Sequence, residues 1–119
     1  EAAIQSAHVA RRKTGKTDWP AIASLYRGLL SRHPNLGARI GYSVSLGKCG
    51  HVREGLKTLA KIEWKLTQLH QPYWAARAYL LAANGQYEAA RVAYNKAIGL
   101  SSDDAQRRYL SQRLCEISE

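Results

Sequence analysis

The sequence predicts an all-α protein, an array of about seven antiparallel helices joined by short loops. Three observations support this prediction. Apolar residues recur at steps of three and four, Gly and Pro fall where these periodic segments end, and a set of spaced residues recurs after 35 positions. The 119 residues are enough for a single domain, residues 1–119, around one buried core.

The first two helices are predicted in the N-terminal part of the chain. Residues 1–13 are rich in Ala and free of Gly and Pro, which favours a short helix, and a break is expected at residues 14–17. Asp18 or Thr17 can cap the second helix, and Pro20 fits its first turn, where a missing N–H costs nothing. The buried stripe of this helix is predicted to comprise Trp19, Ile22, Ala23, Tyr26, Leu29 and Leu30.

The segment 36–47 fits two structures. From Ile40 onward, apolar residues alternate with Gly and Ser, which is typical of a strand. As a helix, the same segment places Leu36, Ile40 and Val44 on one face, but its internal glycines cost about 1 kcal/mol each relative to Ala. The local pattern alone does not decide between the two.

A single amphipathic helix is predicted over residues 51–70. Its opposite side carries four cations at four-residue spacing, and these are Arg53, Lys57, Lys61 and Lys65. The apolar stripe of the helix is predicted to comprise Val52, Gly55, Leu59, Ile62, Leu66 and Leu69.

Three more helices are predicted after Pro72. Residues 73–83 and 86–100 flank Asn84 and Gly85, a pair that commonly ends a helix. Residues 101–104 then supply hydroxyl and carboxylate groups, which favour a helix N-terminus. The apolar side of the last helix comprises Tyr109, Leu110, Leu114 and Ile117.

A repeat of 35 residues relates two of these helical hairpins. Gly50, Gly55, Leu59 and Ile62 have the same spacing as Gly85, Ala90, Tyr94 and Ala97. The second copy, which also contains Trp74 and Leu81, resembles the tetratricopeptide pattern, in which small residues let neighbouring helices approach closely. The first copy departs from this pattern, since Arg39 replaces Trp74 and Gly55 replaces Ala90. The repeat favours a helix over 36–47 and a tetratricopeptide-like array.

Several stretches in a fixed order carry a closer resemblance. They are AAIQSAH, KTDWPAIASLY, HPNLGARIGYSVSL, EGLKTL, PYWAARAYLLAANGQYEAARVAYNKAIGL and AQRRYLSQRL. In this order they resemble the helical C-terminal extension of bacterial extracytoplasmic-function-type sigma factors, most specifically at Thr17, Asp18 and Trp19 with Ile22, Leu25 and Tyr26. The chain differs at residues 41–43, where Gly-Tyr-Ser replaces the family's Asn-Arg-Ala.

That resemblance implies an accessory, regulatory domain of a cytoplasmic transcription initiation factor that acts through protein–protein contacts. The implied partners are RNA polymerase or the DNA-binding regions of the same sigma factor. Promoter recognition would belong to regions upstream of Glu1. Two other functions are considered beside it: a stand-alone tetratricopeptide-like scaffold that binds a peptide, and a basic helical module that binds nucleic acid.

The charge distribution indicates candidate interaction surfaces. The chain has 18 Lys and Arg against 9 Asp and Glu, a formal net charge of +9, which favours nucleic acid, an acidic membrane surface or an acidic protein face. The four cations at Arg53, Lys57, Lys61 and Lys65 form one candidate surface, or else the water-facing side of their helix. Arg77 and Tyr79 are predicted to line a concave groove of the repeat.

No group of residues predicts catalysis, a cofactor or a metal. Residues 15–17 resemble the end of a phosphate-binding loop, but Ala10 stands where that motif requires Gly. Cys49 and His51 lack the further groups that a nucleophile or zinc site needs. The longest apolar run, residues 78–83, is too short to span a membrane. We therefore expect a protein that is not an enzyme.

Overall fold

The computed structural model describes residues 18–33 and 35–118. These residues form seven helices and no strand, which confirms the all-α prediction for this part of the chain. The helices are α1 (Trp19–Arg32), α2 (Leu36–Lys48), α3 (Val52–Ala60), α4 (Trp64–Thr67), α5 (Gln71–Ala83), α6 (Tyr87–Leu100) and α7 (Asp104–Ser118). The helix predicted over residues 1–13 and the break after it lie outside the described residues. None of the helices described combines the length and apolar character that crossing a bilayer requires.

Helix α1 begins and ends as the sequence predicts. The Asp18 carboxylate accepts a hydrogen bond of 3.2 Å from the backbone N–H of Ala21, and Pro20 lies in the first turn. The helix ends at Arg32, and His33 follows as its C-cap. Only Ile22 and Ala23 of the predicted stripe are fully buried, so α1 covers one side of the bundle rather than entering its centre.

The segment that fitted two structures is helix α2. Asn35 caps it by accepting a hydrogen bond of 2.8 Å from the backbone N–H of Ala38. A Cβ atom added at Gly41 would collide with the ring of Tyr26, and one added at Gly47 would collide with the Leu80 side chain. The glycines that suggested a strand therefore allow α1 and α5 to approach the backbone of α2.

The serines of α2 have a similar explanation. Ser43 and Ser45 are buried, and their hydroxyls donate to the carbonyl oxygens of Ile40 and Gly41 at 2.7 and 2.8 Å. Each small polar side chain is thus satisfied within its own helix. The alternation of small and apolar residues in α2 reflects a helix packed on several sides, rather than a strand with two faces.

The predicted single helix over residues 51–70 is wrong. Helix α3 ends at Ala60, the Ile62 N–H donates to the Leu59 carbonyl in a tight turn, and Glu63 is extended before the one-turn helix α4. The break buries Ile62 while the chain changes direction. Leu66 and Leu69 are 58% and 80% exposed, so the predicted apolar stripe stops at Ile62.

The two hairpins, α2–α3 and α5–α6, repeat each other at a spacing of 35 residues. Helix α5 begins and ends 35 residues after α2, and α6 begins 35 residues after α3. In the turns, His51 N–H donates to the Leu46 carbonyl at 2.8 Å and Gln86 N–H to the Leu81 carbonyl at 2.9 Å, and the neighbouring turn bonds correspond in the same way. Gly50 and Gly85 have φ of 89° and 80°. The predicted repeat is therefore present in the backbone.

Two clusters of apolar side chains hold the hairpins together. The first joins the α2–α3 hairpin to α5 and contains Ile40, Leu59, Ile62, Tyr73, Ala76 and Leu80. The second joins the α5–α6 hairpin to α7 and contains Ala78, Leu81, Ala90, Ala93, Tyr94, Ala97 and Leu110. Ala90 and Ala97 are completely buried, as expected where small side chains let neighbouring helices approach closely.

Candidate functional site

Three helices that are not adjacent in the sequence line one groove. We call it the three-helix groove, formed by α2, α5 and α7, with a volume of about 330 Å³. Ile40, Ala75 and Leu110 contribute its apolar floor, and these residues are spaced by 35 positions. Helix α7 therefore presents Leu110 where α2 and α5 present Ile40 and Ala75. The 35-residue spacing therefore coincides with one apolar residue from each of the three helices in the same groove.

Lys48 provides a positive charge at one side of this groove. Its Nζ lies 4.4 Å from the centre of the Tyr79 ring and 5.6 Å from that of the Trp19 ring. Attraction to the two ring faces holds the ammonium group between α1 and α5. The charge stays exposed to solvent, where an anionic ligand can reach it.

Arg113 provides a second positive charge, on α7. Its side chain interacts electrostatically with Tyr94, and its Nη1 lies 3.5 Å from Oε1 of Glu116. Burial raises the pKa of Tyr94, and the interaction with Arg113 offsets part of that rise. Burial lowers the pKa of Arg113, but the interactions with Tyr94, Tyr109 and Glu116 outweigh burial, so the net direction is upward. The guanidinium group therefore stays charged.

Two glutamines at equivalent positions meet in the same groove. Gln106 Nε2 donates to Gln71 Oε1 at 3.4 Å, and the two residues are 35 positions apart. The Nε2 atom of Gln71 is buried and has no hydrogen-bond partner. A buried amide donor without an acceptor costs about 1–3 kcal/mol, and this energy would be recovered if Gln71 turned its amide toward a ligand oxygen in the groove.

A second groove lies between α4, α5 and α6. We call it the tryptophan groove, which has a volume of about 590 Å³ and is lined by Trp64, Trp74, Arg77 and Val92 among others. The indole N–H of Trp74 donates to the carbonyl oxygens of Thr67 and Gln68 at 2.9 and 3.2 Å. These bonds anchor the end of α4 to α5.

The residues predicted to form one concave groove are separated. Tyr79 lines the three-helix groove, whereas Arg77 lines the tryptophan groove. Both belong to α5, but a spacing of two residues places them on different sides of the helix. The prediction that they share a surface is wrong, although each contributes to a groove.

The predicted row of four cations is not a row on one helix. Arg53 and Lys57 belong to α3, Lys61 lies in the turn after it, and Lys65 belongs to α4. All four side chains are exposed. Because the helix breaks after Ala60, the four-residue spacing no longer aligns Lys65 with Arg53.

Sequence analysis missed Lys48, Gln71 and Arg113 as groove residues. The signal that could have identified Gln71 is the 35-residue spacing extended to the last helix, which pairs Gln71 with Gln106. Lys48 and Arg113 stand alone in the sequence, and only the packing of α1, α5 and α6 reveals their aromatic partners.

The metal-ligating side chains and the Cys49 thiol bear on the chemistry that the described residues can perform. Within residues 18–33 and 35–118, no three His, Cys, Asp or Glu side chains are close enough to hold a metal ion. Burial, and secondarily the charge of Asp18, raises the pKa of the Cys49 thiol and keeps it protonated near neutral pH. Comparison of the chain with protein-family models, curated proteins and solved structures gives no match.

Proposed function

We propose that this chain is a non-catalytic protein-interaction domain whose three-helix groove binds an acidic segment of a partner protein. The observation that carries the proposal is the meeting of Lys48, Arg113 and the unpartnered Nε2 of Gln71 around an apolar floor. Carboxylates pair with the two cations, and a carbonyl or carboxylate oxygen accepts from Gln71. Apolar side chains of the segment cover the floor beside Ala75.

A tetratricopeptide-like arrangement of the helices is part of this proposal. The matching turns at Gly50 and Gly85 and the matching bounds of α2 and α5 support it. The packing of α5 against both helices of the preceding hairpin supports it as well, since one cluster joins Ile40, Leu59 and Leu80. In such an array, equivalent helices face the same side, which is how α2, α5 and α7 come to line one groove.

The partner proposed is RNA polymerase or the DNA-binding regions of the same sigma factor. The resemblance to the helical C-terminal extension of extracytoplasmic-function-type sigma factors supports this choice, together with the net charge of +9, which favours an acidic partner surface. The domain would modulate transcription initiation by holding or releasing that segment. Any contact with promoter DNA in this function belongs to regions outside residues 1–119.

The experiment is transcription in vitro with the parent factor. We compare the intact factor, the factor lacking residues 1–119, and the factor carrying Lys48→Glu with Arg113→Glu. A matched variant carrying Arg108→Glu with Arg91→Glu changes the charge equally on residues outside the three-helix groove. We expect the deletion and the groove variant to change activity alike. Unchanged activity on deletion would refute the regulatory role.

A photo-reactive amino acid in place of Tyr109 identifies the partner. Tyr109 lines the three-helix groove and is 61% exposed, so a probe there reaches a bound segment without disturbing the core. The same probe at Glu88, whose side chain is almost fully exposed, is the control. Cross-links from Tyr109 to polymerase or to the factor itself support the proposal. Cross-links only to an unrelated protein favour a stand-alone peptide-binding scaffold.

A further inference from the structure

We propose that the tryptophan groove binds single-stranded nucleic acid, with an unpaired base stacked on Trp64 and the flanking phosphates held by Arg77 and Lys96. This function is separate from that of the three-helix groove. It concerns a different side of α5, with other side chains and another class of partner.

Trp64 is a large aromatic side chain that the fold leaves uncovered. It is 61% exposed although it lines the groove, and Val92 across from it on α6 is 67% exposed. The helix that carries it is anchored, because the carbonyls of Thr67 and Gln68 at the end of α4 accept the Trp74 indole N–H. An exposed indole on an anchored helix is a platform on which any base can stack, since every base has a π face.

The charged residue that lines the groove is a cation, and a second cation lies beside it. Arg77 lines the groove, and Lys96 Nζ lies 6.0 Å from the centre of the Trp74 ring. None of the described residues that line it is acidic. Glu63, which precedes Trp64 in the sequence, lines a separate depression together with Arg39. The charge of the groove therefore complements a phosphate backbone.

The size and shape of the groove favour a single strand over a duplex. A volume of about 590 Å³ is in the range of sites that hold a small molecule, and it can accept a base with its sugar. A base that reaches Trp64 must be out of its stack, which costs little in a single strand and more in a duplex. Stacking and phosphate contacts do not read base edges, so we expect little sequence preference.

The test uses a fluorescent oligothymidylate of about 12 nucleotides and the full chain. Fluorescence anisotropy measures the affinity at several salt concentrations. We expect Trp64→Ala to weaken binding by about tenfold and Trp64→Phe, which keeps a stacking ring, to retain most of the affinity. We expect Lys96→Gln to lower the salt slope by about 0.7, which is the loss of one phosphate contact to a single strand. Circular dichroism checks that each variant is folded.

Two variants are matched controls. Arg108→Gln removes one exposed cation from α7, and Tyr109→Ala removes one exposed aromatic residue from the three-helix groove. Tyr109→Ala should leave the affinity for the oligothymidylate unchanged, and Arg108→Gln should leave the salt dependence of that affinity unchanged. A failure of the function proposed for the three-helix groove does not alter these expectations, because that groove is tested through transcription.

Several results would overturn the proposal. Absence of binding at low salt would do so, as would equal affinities of the wild-type chain and Trp64→Ala. Equal effects of Lys96→Gln and Arg108→Gln would show that net charge alone attracts the strand. Affinity for a duplex equal to that for the single strand would exclude base stacking. The groove would be assigned to an acidic protein if polyglutamate displaced the strand and if Trp64→Ala weakened polyglutamate binding as much as it weakened oligothymidylate binding.

Discussion

The phenol group of Tyr94 on α6 and the guanidinium group of Arg113 on α7 both line the three-helix groove, and each shifts the pKa of the other. Tyr94 is almost completely buried, at 3% exposure, and its equivalent in the first hairpin is Leu59. The second hairpin thus replaces an apolar contact with a polar one beside a cation. The pair connects the stability of α7 to the charge of the groove.

This pair predicts a loss of stability at alkaline pH. The pKa of Tyr94 is raised above its ordinary value of 10.0, so the folded state keeps a proton that the unfolded state releases. The stabilisation from the neutral phenol is therefore complete below about pH 10 and is lost as the pH rises toward the folded-state pKa. Tyr94→Phe should cost about 1 kcal/mol at pH 7 and show a smaller alkaline loss than the wild-type chain. Urea unfolding of both proteins at pH 7 and above about pH 10 measures these differences. An equal change in the exposed control Tyr87→Phe would contradict it.

Gly55 predicts a second outcome. A Cβ at this position would lie 2.6 Å from the carbonyl oxygen of Ser43, which is backbone and cannot move aside. Gly55→Ala should therefore destabilise the protein by about 1–3 kcal/mol, although Ala is the better helix former. Gly28→Ala is the control, since nothing lies within 4 Å of its added Cβ, and it should stabilise by up to about 1 kcal/mol. Urea unfolding followed by circular dichroism compares them, and equal signs for the two changes would disprove the packing argument.

The two hairpin turns predict a third outcome. Gly50 and Gly85 have φ of 89° and 80°, and a Cβ added to either meets no atom within 4 Å. The cost of Ala at each position is then backbone strain alone, about 1–2 kcal/mol. Because the hydrogen bonds of the turns match, the two substitutions should cost the same within about 0.5 kcal/mol. Thermal or urea unfolding measures both, and a large difference would show that the turns are not equivalent.

The indole of Trp74 predicts a fourth outcome. Trp74→Phe removes the donor that holds the Thr67 and Gln68 carbonyls, which should cost about 1–2 kcal/mol. It should also speed amide hydrogen exchange in α4 more than in α2. Trp64→Phe is the control, since Trp64 is exposed and its substitution should leave the unfolding free energy unchanged. Uniform exchange in Trp74→Phe would argue against an anchoring role.

Sequence patterns predicted the helices wherever apolar spacing and end signals agreed. Asp18 with Pro20, and Asn84 with Gly85, mark boundaries that local chemistry determines, and those boundaries are correct. The alternation after Ile40 was ambiguous because small residues serve both a strand and a helix under close packing. Only the 35-residue repeat favoured the helix.

The break after Ala60 shows where this reasoning stops. The spacing of Leu66 and Leu69 continues the helical stripe of α3, but those side chains are exposed, because tertiary contacts of Ile62 and Trp74 redirect the chain. The predicted row of cations depended on that continuous helix. Sequence patterns did not predict the two candidate grooves either. Each groove is lined by residues from three or more helices, and no local spacing in the sequence relates these residues.

The link between α3 and α5 tolerates different substitutions from those that the two hairpins tolerate. Residues 61–70 lie between the units of the repeat and include α4, while the turn bonds and small-residue contacts belong to the hairpins themselves. Ile62 and Thr67 of this link are buried, whereas Trp64 and Lys65 are exposed. Substitutions at the exposed positions can therefore change what the link presents to a partner while the buried positions keep it docked on the scaffold.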